Sequence, residues 1–513
     1  MAPALLAAIL SGSLLALAFP KWDFTWLLPL ALLPACWALR GKSGKAAFWL
    51  GFVHGLAFYL VLLYWISYVT HVFGKLPLIL AFGVLTLLAA YLSLYRALWG
   101  WGVAWADRRG VNLLWFAPAW WAALEFAQTY VISGFPWELL GHGLYRQPLL
   151  LQVADLTGVY GLSALVVLVN VALYRLLAPG PRLRRLTVVT VLVVAAAAWV
   201  GYGYVRLGRL ASSISSSPKL PVAVVQGNIK QGDKWDPKMV PVTLELYGKL
   251  TDKVLEPWKG SGDNRGTPLV VWPETAAPYP FGYSPGVAAF DNLIREIARK
   301  NHAFLLFGAP ASETRPGGDV LFNRAYLVSP EGKQVGYYDK AHLVPYGEYV
   351  PLKRIFFFIH KMVQAIGDFE AGPVGAVVRL PEAPVGVLIC YESIFGYLSR
   401  AQTQNGARLL VNITNDAWFG DTGAPYQHMS MAVIRTVENR VALARAANTG
   451  ISAFINPDGR ILWTSGLNIP AAHALELPLL AGGSLYTRYG DVFAWACVAL
   501  CALALLFTRG RRR

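Results

Sequence analysis

The sequence predicts an α+β membrane protein: a bundle of apolar helices joined to a layered α/β domain. Of its 513 residues, 56% are hydrophobic and only 14% charged. That is too apolar for an ordinary soluble domain, and the chain is too long for a single domain. Eight stretches approach or reach the roughly 17 to 25 apolar residues that cross a hydrocarbon core of about 30 Å. Between about residues 218 and 480 these runs give way to short strand-like segments alternating with amphipathic helices, the pattern of a layered domain.

The eight stretches lie near residues 5–19, 24–39, 48–69, 77–99, 113–131, 158–177, 186–204 and 492–507. The first is read as a retained helix: it lacks the positively charged start and small-residue cleavage site of a secretory signal. Pro20, Pro29 and Pro34 blur the ends of the first two. The fifth carries Pro118 and Glu125. A carboxylate at that depth is either functional or a paired structural group.

Basic residues then set an orientation. With the amino terminus inside, the inner connections carry Arg40, Lys42, Lys45, Arg108, Arg109, Arg175, Arg182, Arg184, Arg185, Arg509, Arg511, Arg512 and Arg513. The outer ones carry little beyond Lys21, Lys75 and Arg146. That asymmetry follows the positive-inside pattern and puts the long segment from about 207 to 487 outside the cytoplasm. It also accounts for much of the formal charge of +16, so the basic tail is read as a topology signal and nucleic-acid binding is excluded. The expected division is 1–210 for a seven-helix membrane region, 218–480 for the catalytic domain, and 488–513 for an eighth helix and basic tail.

The serine-rich 212–217 joins the seventh helix to the layered domain. Strands are expected at 222–226, 269–272, 304–308, 324–328, 386–390, 408–413 and 452–456, and helices at 240–255, 288–300 and 428–446. Cys36, Cys497 and Cys501 fall in apolar helices, where cysteine acts as a small hydrophobe. Cys390 is therefore the single thiol of the outer domain, without a disulfide or zinc pattern. The eight histidines form no ligand-spaced cluster, so neither metal nor cofactor is expected.

Three ionisable residues follow hydrophobic stretches. Glu274 comes after Leu269-Val270-Val271-Trp272-Pro273, where a partly apolar setting favours the protonated carboxyl and suits general-base work. Lys340 closes Tyr338-Asp339-Lys340, and its ammonium can stabilise an oxyanion or a thiolate. Cys390 ends Val385-Gly386-Val387-Leu388-Ile389, a nucleophile where a buried strand meets a turn. Taken singly, each has a plainer reading: a surface acid, a solvated lysine and an inert buried thiol. His342 is a possible partner for a Cys/His pair and equally a structural residue.

In combination and order, Glu274, Lys340 and Cys390 resemble the nitrilase superfamily, whose members carry Glu, Lys and Cys on strand ends of an α-β-β-α sandwich. The whole length is similar to the apolipoprotein N-acyltransferase family. The shared stretches are 225–229 (VQGNI), 272–275 (WPET), 338–351, with its Tyr338-Asp339-Lys340 and Glu348, 390–392 (CYE) and 415–420 (NDAWFG). The resemblance implies that Glu274 takes the thiol proton and that Cys390 attacks a phospholipid ester, phosphatidylethanolamine being the usual donor. Lys340, with a backbone N–H after Cys390, would stabilise the oxyanion. The thioester would then pass its acyl chain to the α-amine of a diacylglyceryl-cysteine at a lipoprotein's amino terminus. It further implies supporting roles for Glu348, Tyr391 and Glu392, lipid access at Trp235 and Trp418, and a multi-pass location in the bacterial inner membrane with the catalytic domain on the periplasmic side. Either tryptophan is equally an interfacial anchor, and Gly420, Gly423 and Pro425 offer a mobile lid.

Two other readings fit parts of the chain. A membrane-tethered amidase would use the same three residues but let water take the acyl group; eight helices are a large tether for a small soluble substrate. A transporter or scaffold with an inactive sandwich should have lost one of the three, and all are present.

Overall fold

In the computed structural model, residues 1–179, 181–258, 266–282, 285–316, 318–349 and 369–508 are described. The expected basic tail from Arg509 and the Val350-Pro351 end of the 338–351 stretch lie outside them. The chain divides into two units, one formed by Met1–His71, Leu76–Arg209 and Arg488–Arg513, the other by Val72–Lys75 and Leu210–Thr487.

Among the described residues, four helices are long and apolar enough to cross a membrane: Gly44–Leu62, Leu78–Arg108, Val159–Leu177 and Arg185–Ser216, the last running from the first unit into the second. Ala2–Leu17 and Val492–Phe507 are shorter apolar helices, and Leu113–Tyr130 is an 18-residue helix capped by the Asn112 side chain. The expected second helix, 24–39, is not continuous. It forms a 3-10 turn at Thr25–Leu27 and a helix of only seven residues, Leu33–Leu39, entered through Pro34. The interruption is stabilised by Asn170, whose carboxamide donates to the Leu28 carbonyl (2.7 Å) and accepts from the Leu32 amide (2.9 Å). In an apolar body every freed backbone group needs such a partner. The stretch 48–69 likewise splits, into Gly44–Leu62 and Trp65–Val72.

Helices Gly44–Leu62 and Leu78–Arg108 meet closely enough that a Cβ on Gly51 would stand 2.4 Å from the Arg96 carbonyl oxygen. Such small-residue contacts drive helix association where water supplies no hydrophobic force. Glu125 is a paired structural group: it accepts from Trp121 Nε1 (2.8 Å) and the Leu140 amide (2.9 Å) and faces Arg96 at 3.5 Å.

Among the described residues, the second unit is built on two six-stranded sheets. In chain order the strands are β1 (Lys219–Gln226), β2 (Leu269–Val271), β3 (Phe304–Arg315), β4 (Gly318–Val328), β5 (Gln334–Asp339), β6 (Val377–Arg379), β7 (Pro384–Ile389), β8 (Leu409–Thr414), β9 (Ala442–Ala447), β10 (Ala453–Ile455), β11 (Ile461–Thr464) and β12 (Ala471–Pro478). One sheet runs β12-β1-β2-β3-β4-β5, the other β11-β10-β9-β8-β7-β6. Strands β1, β2 and β3 are parallel to one another, as are β7, β8 and β9. Alternate residues face inward: Val222, Val224 and Val271 of one sheet pack against Val387, Val411 and Ala444 of the other. The opposite face of the first sheet, with Val225, Val270 and Phe307, is covered by helices Met239–Leu255 and Ala288–Lys300. Helices Gly396–Gln404 and Ala424–Asn439 cover the second. The result is the α-β-β-α sandwich.

One expected helix was too long. The segment 428–446 is helical only to Asn439, after which Arg440 turns left-handed (φ 56°) and Ala442–Ala447 forms central strand β9. Every residue of both pieces is buried, so helical and strand periodicities leave the same apolar signature.

Candidate active site

Three strands deliver the candidate residues from their carboxyl ends: β2 and β7 from the parallel parts of their sheets, and β5 from an antiparallel edge. Strand β2 runs through Trp272 and Pro273 into Glu274, and Gly308 of β3 makes room for that turn. A Cβ there would stand 2.7 Å from the Glu274 Cα. Strand β5 ends one residue before Lys340, and β7 ends one residue before Cys390. Cys390 has φ 53°, a left-handed conformation uncommon for a non-glycine residue. The main chain therefore turns sharply at the thiol and enters the short helix Cys390–Ile394.

A charged cluster lies within electrostatic reach of Cys390. Lys340 Nζ contacts Glu348 Oε1 at 2.9 Å and Glu274 Oε1 at 3.8 Å, so one ammonium serves two carboxylates. Asn323 Nδ2 bridges the same two oxygens, donating to each at 2.8 Å. The Asn415 amide donates to Glu274 Oε2 at 3.0 Å, and the Val344 amide to Glu348 Oε2 at 2.8 Å. Burial works to lower the Lys340 ammonium, but Glu348 and Glu274 together hold it above the ordinary lysine range. Burial pushes the Cys390 thiol up, Glu274 adds to that, and Lys340 opposes it. In the resting site the thiol thus keeps its proton until a base removes it.

Glu392 joins two strand ends. Its Oε1 accepts from the Ala341 (2.7 Å) and His342 (3.0 Å) amides, just after Lys340, and its Oε2 accepts from the Ile389 amide (2.7 Å), just before Cys390. Tyr338 donates its hydroxyl to both oxygens. Burial raises Glu392 to about 7, against the Ile389 amide and Lys340. Behind the elbow, His428 Nε2 lies 3.0 Å from the Cys390 carbonyl oxygen and 2.9 Å from Ser393 Oγ, while its Nδ1 lies 3.0 Å from Asp416 Oδ1. Arg445 donates to Asp416 Oδ2 at 2.8 Å. Despite burial, Arg445 and His428 hold Asp416 down at about 2.

The remaining expected residues sit as follows. Tyr391 is buried against the Phe395 ring at 5.2 Å. Trp418, half-buried on the 3-10 turn Asp416–Phe419, meets the Phe73 ring at 5.0 Å. Trp235 is half-buried in the turn after β1. His342 takes the structural option: its Nδ1 lies 2.8 Å from the Tyr397 hydroxyl and its ring 4.0 Å from that of Phe395. Of the expected lid residues, Gly423 and Pro425 are buried at the start of helix Ala424–Asn439 and Gly420 is half-buried on the turn before it. Sequence reasoning missed Asn323 and Lys234, which carry no motif of their own, and the His428–Asp416–Arg445 group. Adjacency to Trp235 was the only signal for Lys234.

Residues 11–172 match the family model of the apolipoprotein N-acyltransferase N-terminal domain, and residues 221–470 match that of carbon-nitrogen hydrolases. An apolipoprotein N-acyltransferase of Geobacter metallireducens is 44% identical over 98% of this chain and 95% of its own length. The chain belongs to the apolipoprotein N-acyltransferase family. Another member, from Methylococcus capsulatus, is 32% identical over 99% of this chain and 97% of its own. Among solved structures, an amidase from Nesterenkonia sp. AN1 aligns with 52% of this chain and 92% of its own at 22% identity and a TM-score of 0.37.

Proposed function

We propose that this enzyme N-acylates apolipoproteins, taking an acyl chain from a phospholipid and passing it through a thioester on Cys390 to the α-amine of a diacylglyceryl-cysteine. In the first half-reaction Glu274 accepts the Cys390 proton and the thiolate attacks the ester carbonyl. Lys340 faces the developing oxyanion. As the tetrahedral intermediate collapses, Glu274 returns the proton to the departing lysophospholipid oxygen. In the second, the amine attacks the thioester, loses its proton through Glu274, and Cys390 leaves as the thiol. Splitting the transfer lets two bulky lipids use one site in turn, and thioesters yield to amines more readily than oxygen esters do. The kinetic form is ping-pong.

The observation that carries this reading is the shared ammonium: Lys340 Nζ lies 2.9 Å from Glu348 and 3.8 Å from Glu274, and its charge opposes the rise of the Cys390 thiol. Glu348, Tyr391 and Glu392 support the site in this reading, and Trp235 and Trp418 border lipid access. The domain division is 1–210, 218–480 and 488–513. Eight segments cross the bacterial inner membrane, the second of them broken, with the catalytic domain on the periplasmic side. The excess of basic residues on the inner connections supports that orientation. Incubation with phosphatidylethanolamine alone, followed by intact-mass and peptide mapping, tests the reading. A hydroxylamine-sensitive acyl adduct on Cys390 with released lysophospholipid is expected; turnover without any dependence on Cys390 would refute it.

A further inference from the structure

The buried cluster holds a second amine besides Lys340. Lys234 is only 4% exposed, and its Nζ donates to the main-chain carbonyl of Glu274 at 2.9 Å. Its segment is pinned by polar contacts to the ends of β8 and β9: Asn415 Nδ2 donates to Gln231 Oε1 (2.8 Å) and Asn448 Nδ2 to the Ile229 carbonyl (2.7 Å). The ammonium therefore sits beside the main chain of Glu274, where the Glu274 carboxylate and a Cys390 thiolate both favour its charged form. Lys340 alone must balance two carboxylates, Glu274 and Glu348, which would leave the cavity with a net negative charge before any thiolate formed. A buried charge without compensation is costly, and a further anion in the same place more so.

We propose that Lys234 is a positioning and charge-balancing residue of the transfer site: it anchors the main chain that carries Glu274 and supplies the second positive charge that favours the Cys390 thiolate. This rests on Cys390 being the nucleophile and Glu274 its base. When the S–H bond breaks and the proton moves to Glu274, negative charge passes from carboxylate to sulfur. An ammonium in reach of both keeps the cluster neutral through that transfer. Burial lowers the Lys234 ammonium to about 8, with Glu274 and Cys390 opposing, so a thiolate forming at Cys390 strengthens its hold on the proton. The charged groups acting on the sulfur are then Glu274, Lys340, Lys234 and Asp416, the last neutralised by Arg445.

The test uses the full-length protein in detergent. Alkylation of Cys390 by iodoacetamide is followed by peptide mass as a function of pH, beside acyl-adduct formation from phosphatidylethanolamine. Lys234→Gln keeps a donor for the Glu274 carbonyl but removes the charge, and Lys234→Met removes both. Both are expected to slow alkylation about tenfold at a fixed pH below 8, where Lys234 holds its proton, the equivalent of about one pKa unit in the thiol. The acylation rate should fall by a similar factor with the phospholipid KM unchanged. Lys234→Arg should restore the profile, and Lys238→Met, at an exposed neighbour, should match the parent. A parent-like profile in folded Lys234→Gln overturns the proposal even if its rate is reduced, and the Gln variant decides the matter if Lys234→Met does not fold. If the unsubstituted protein forms no acyl adduct on Cys390, the underlying functional reading has failed instead.

Discussion

Substitution of Glu392 by Gln separates a latch from simple packing. The side chain keeps its shape, but a carboxamide has one acceptor oxygen where the carboxylate has two. In the structure Oε1 takes the Ala341 and His342 amides while Oε2 takes the Ile389 amide. Whichever way the amide turns, its NH2 faces a buried N–H. Leaving one buried donor unsatisfied costs about 1–3 kcal/mol. Keeping the oxygen toward Ala341 and His342 satisfies more donors, so the cost should fall on Ile389, next to the nucleophile. At about 1.4 kcal/mol per tenfold, acyl-enzyme formation should slow by about 5- to 150-fold. Glu392→Ala strands three amides, on the order of 3–9 kcal/mol, comparable with the whole stability margin of about 5–15 kcal/mol for a domain. Stopped incubations with phosphatidylethanolamine, read by Cys390 adduct mass, give the rate, and thermal unfolding followed by tryptophan fluorescence gives the stability. Glu392→Gln acting within twofold of the parent rate at unchanged Tm would refute the latch.

Further expectations follow the same geometry. Asn323→Leu removes the donor that bridges Glu274 and Glu348 and should lower the acylation rate by about tenfold or more through two lost charged hydrogen bonds; a rate within twofold would count against the bridge. Cys390→Ala should abolish N-acylation, while the combined Cys36→Ala, Cys497→Ala and Cys501→Ala variant should retain most of it, as read by mass of the lipoprotein product. Asp416, held at about 2, contributes stability that is fully present above pH 4 and is lost as pH falls from about 4 towards 2. Asp416→Asn should therefore flatten the acid limb of a Tm-against-pH curve, and an unchanged limb would be inconsistent with that role. Arg96→Ala leaves Glu125 buried without its cation and should cost about 3–5 kcal/mol, seen as a shorter half-life in detergent.

The sandwich's central strands were legible because each is a short apolar run bounded by polar turns. The same rule put Glu274 and Cys390 at strand ends, whereas Lys340 followed an aromatic stretch and only the family resemblance set it at a strand end. Edge strands β6 and β11 and the meander strand β5 were less legible. Val377–Arg379 and Ile461–Thr464 are only three and four residues long, and Gln334–Asp339 is broken by Gly336 and bounded by polar residues. Strand β9 was hidden in an apparent helix because total burial erases the polar face that distinguishes the two periods.

Local chemistry written along the chain was settled by the sequence itself: membrane-grade apolarity, the asymmetry of basic residues, a lone thiol in the layered domain, and three reactive groups in apolar contexts. Only the tertiary structure decided which polar residues share a cavity. Asn415 donates its amide to Glu274 across 141 positions, and Lys234 reaches the Glu274 carbonyl across 40. Asn170 secures a broken helix 138 positions away through Leu32. Apolar periodicity is a property of neighbours in sequence, whereas hydrogen bonds and charge balance depend on distance in space. A lysine or asparagine in a loop therefore reads as solvated until folding buries it beside its partner.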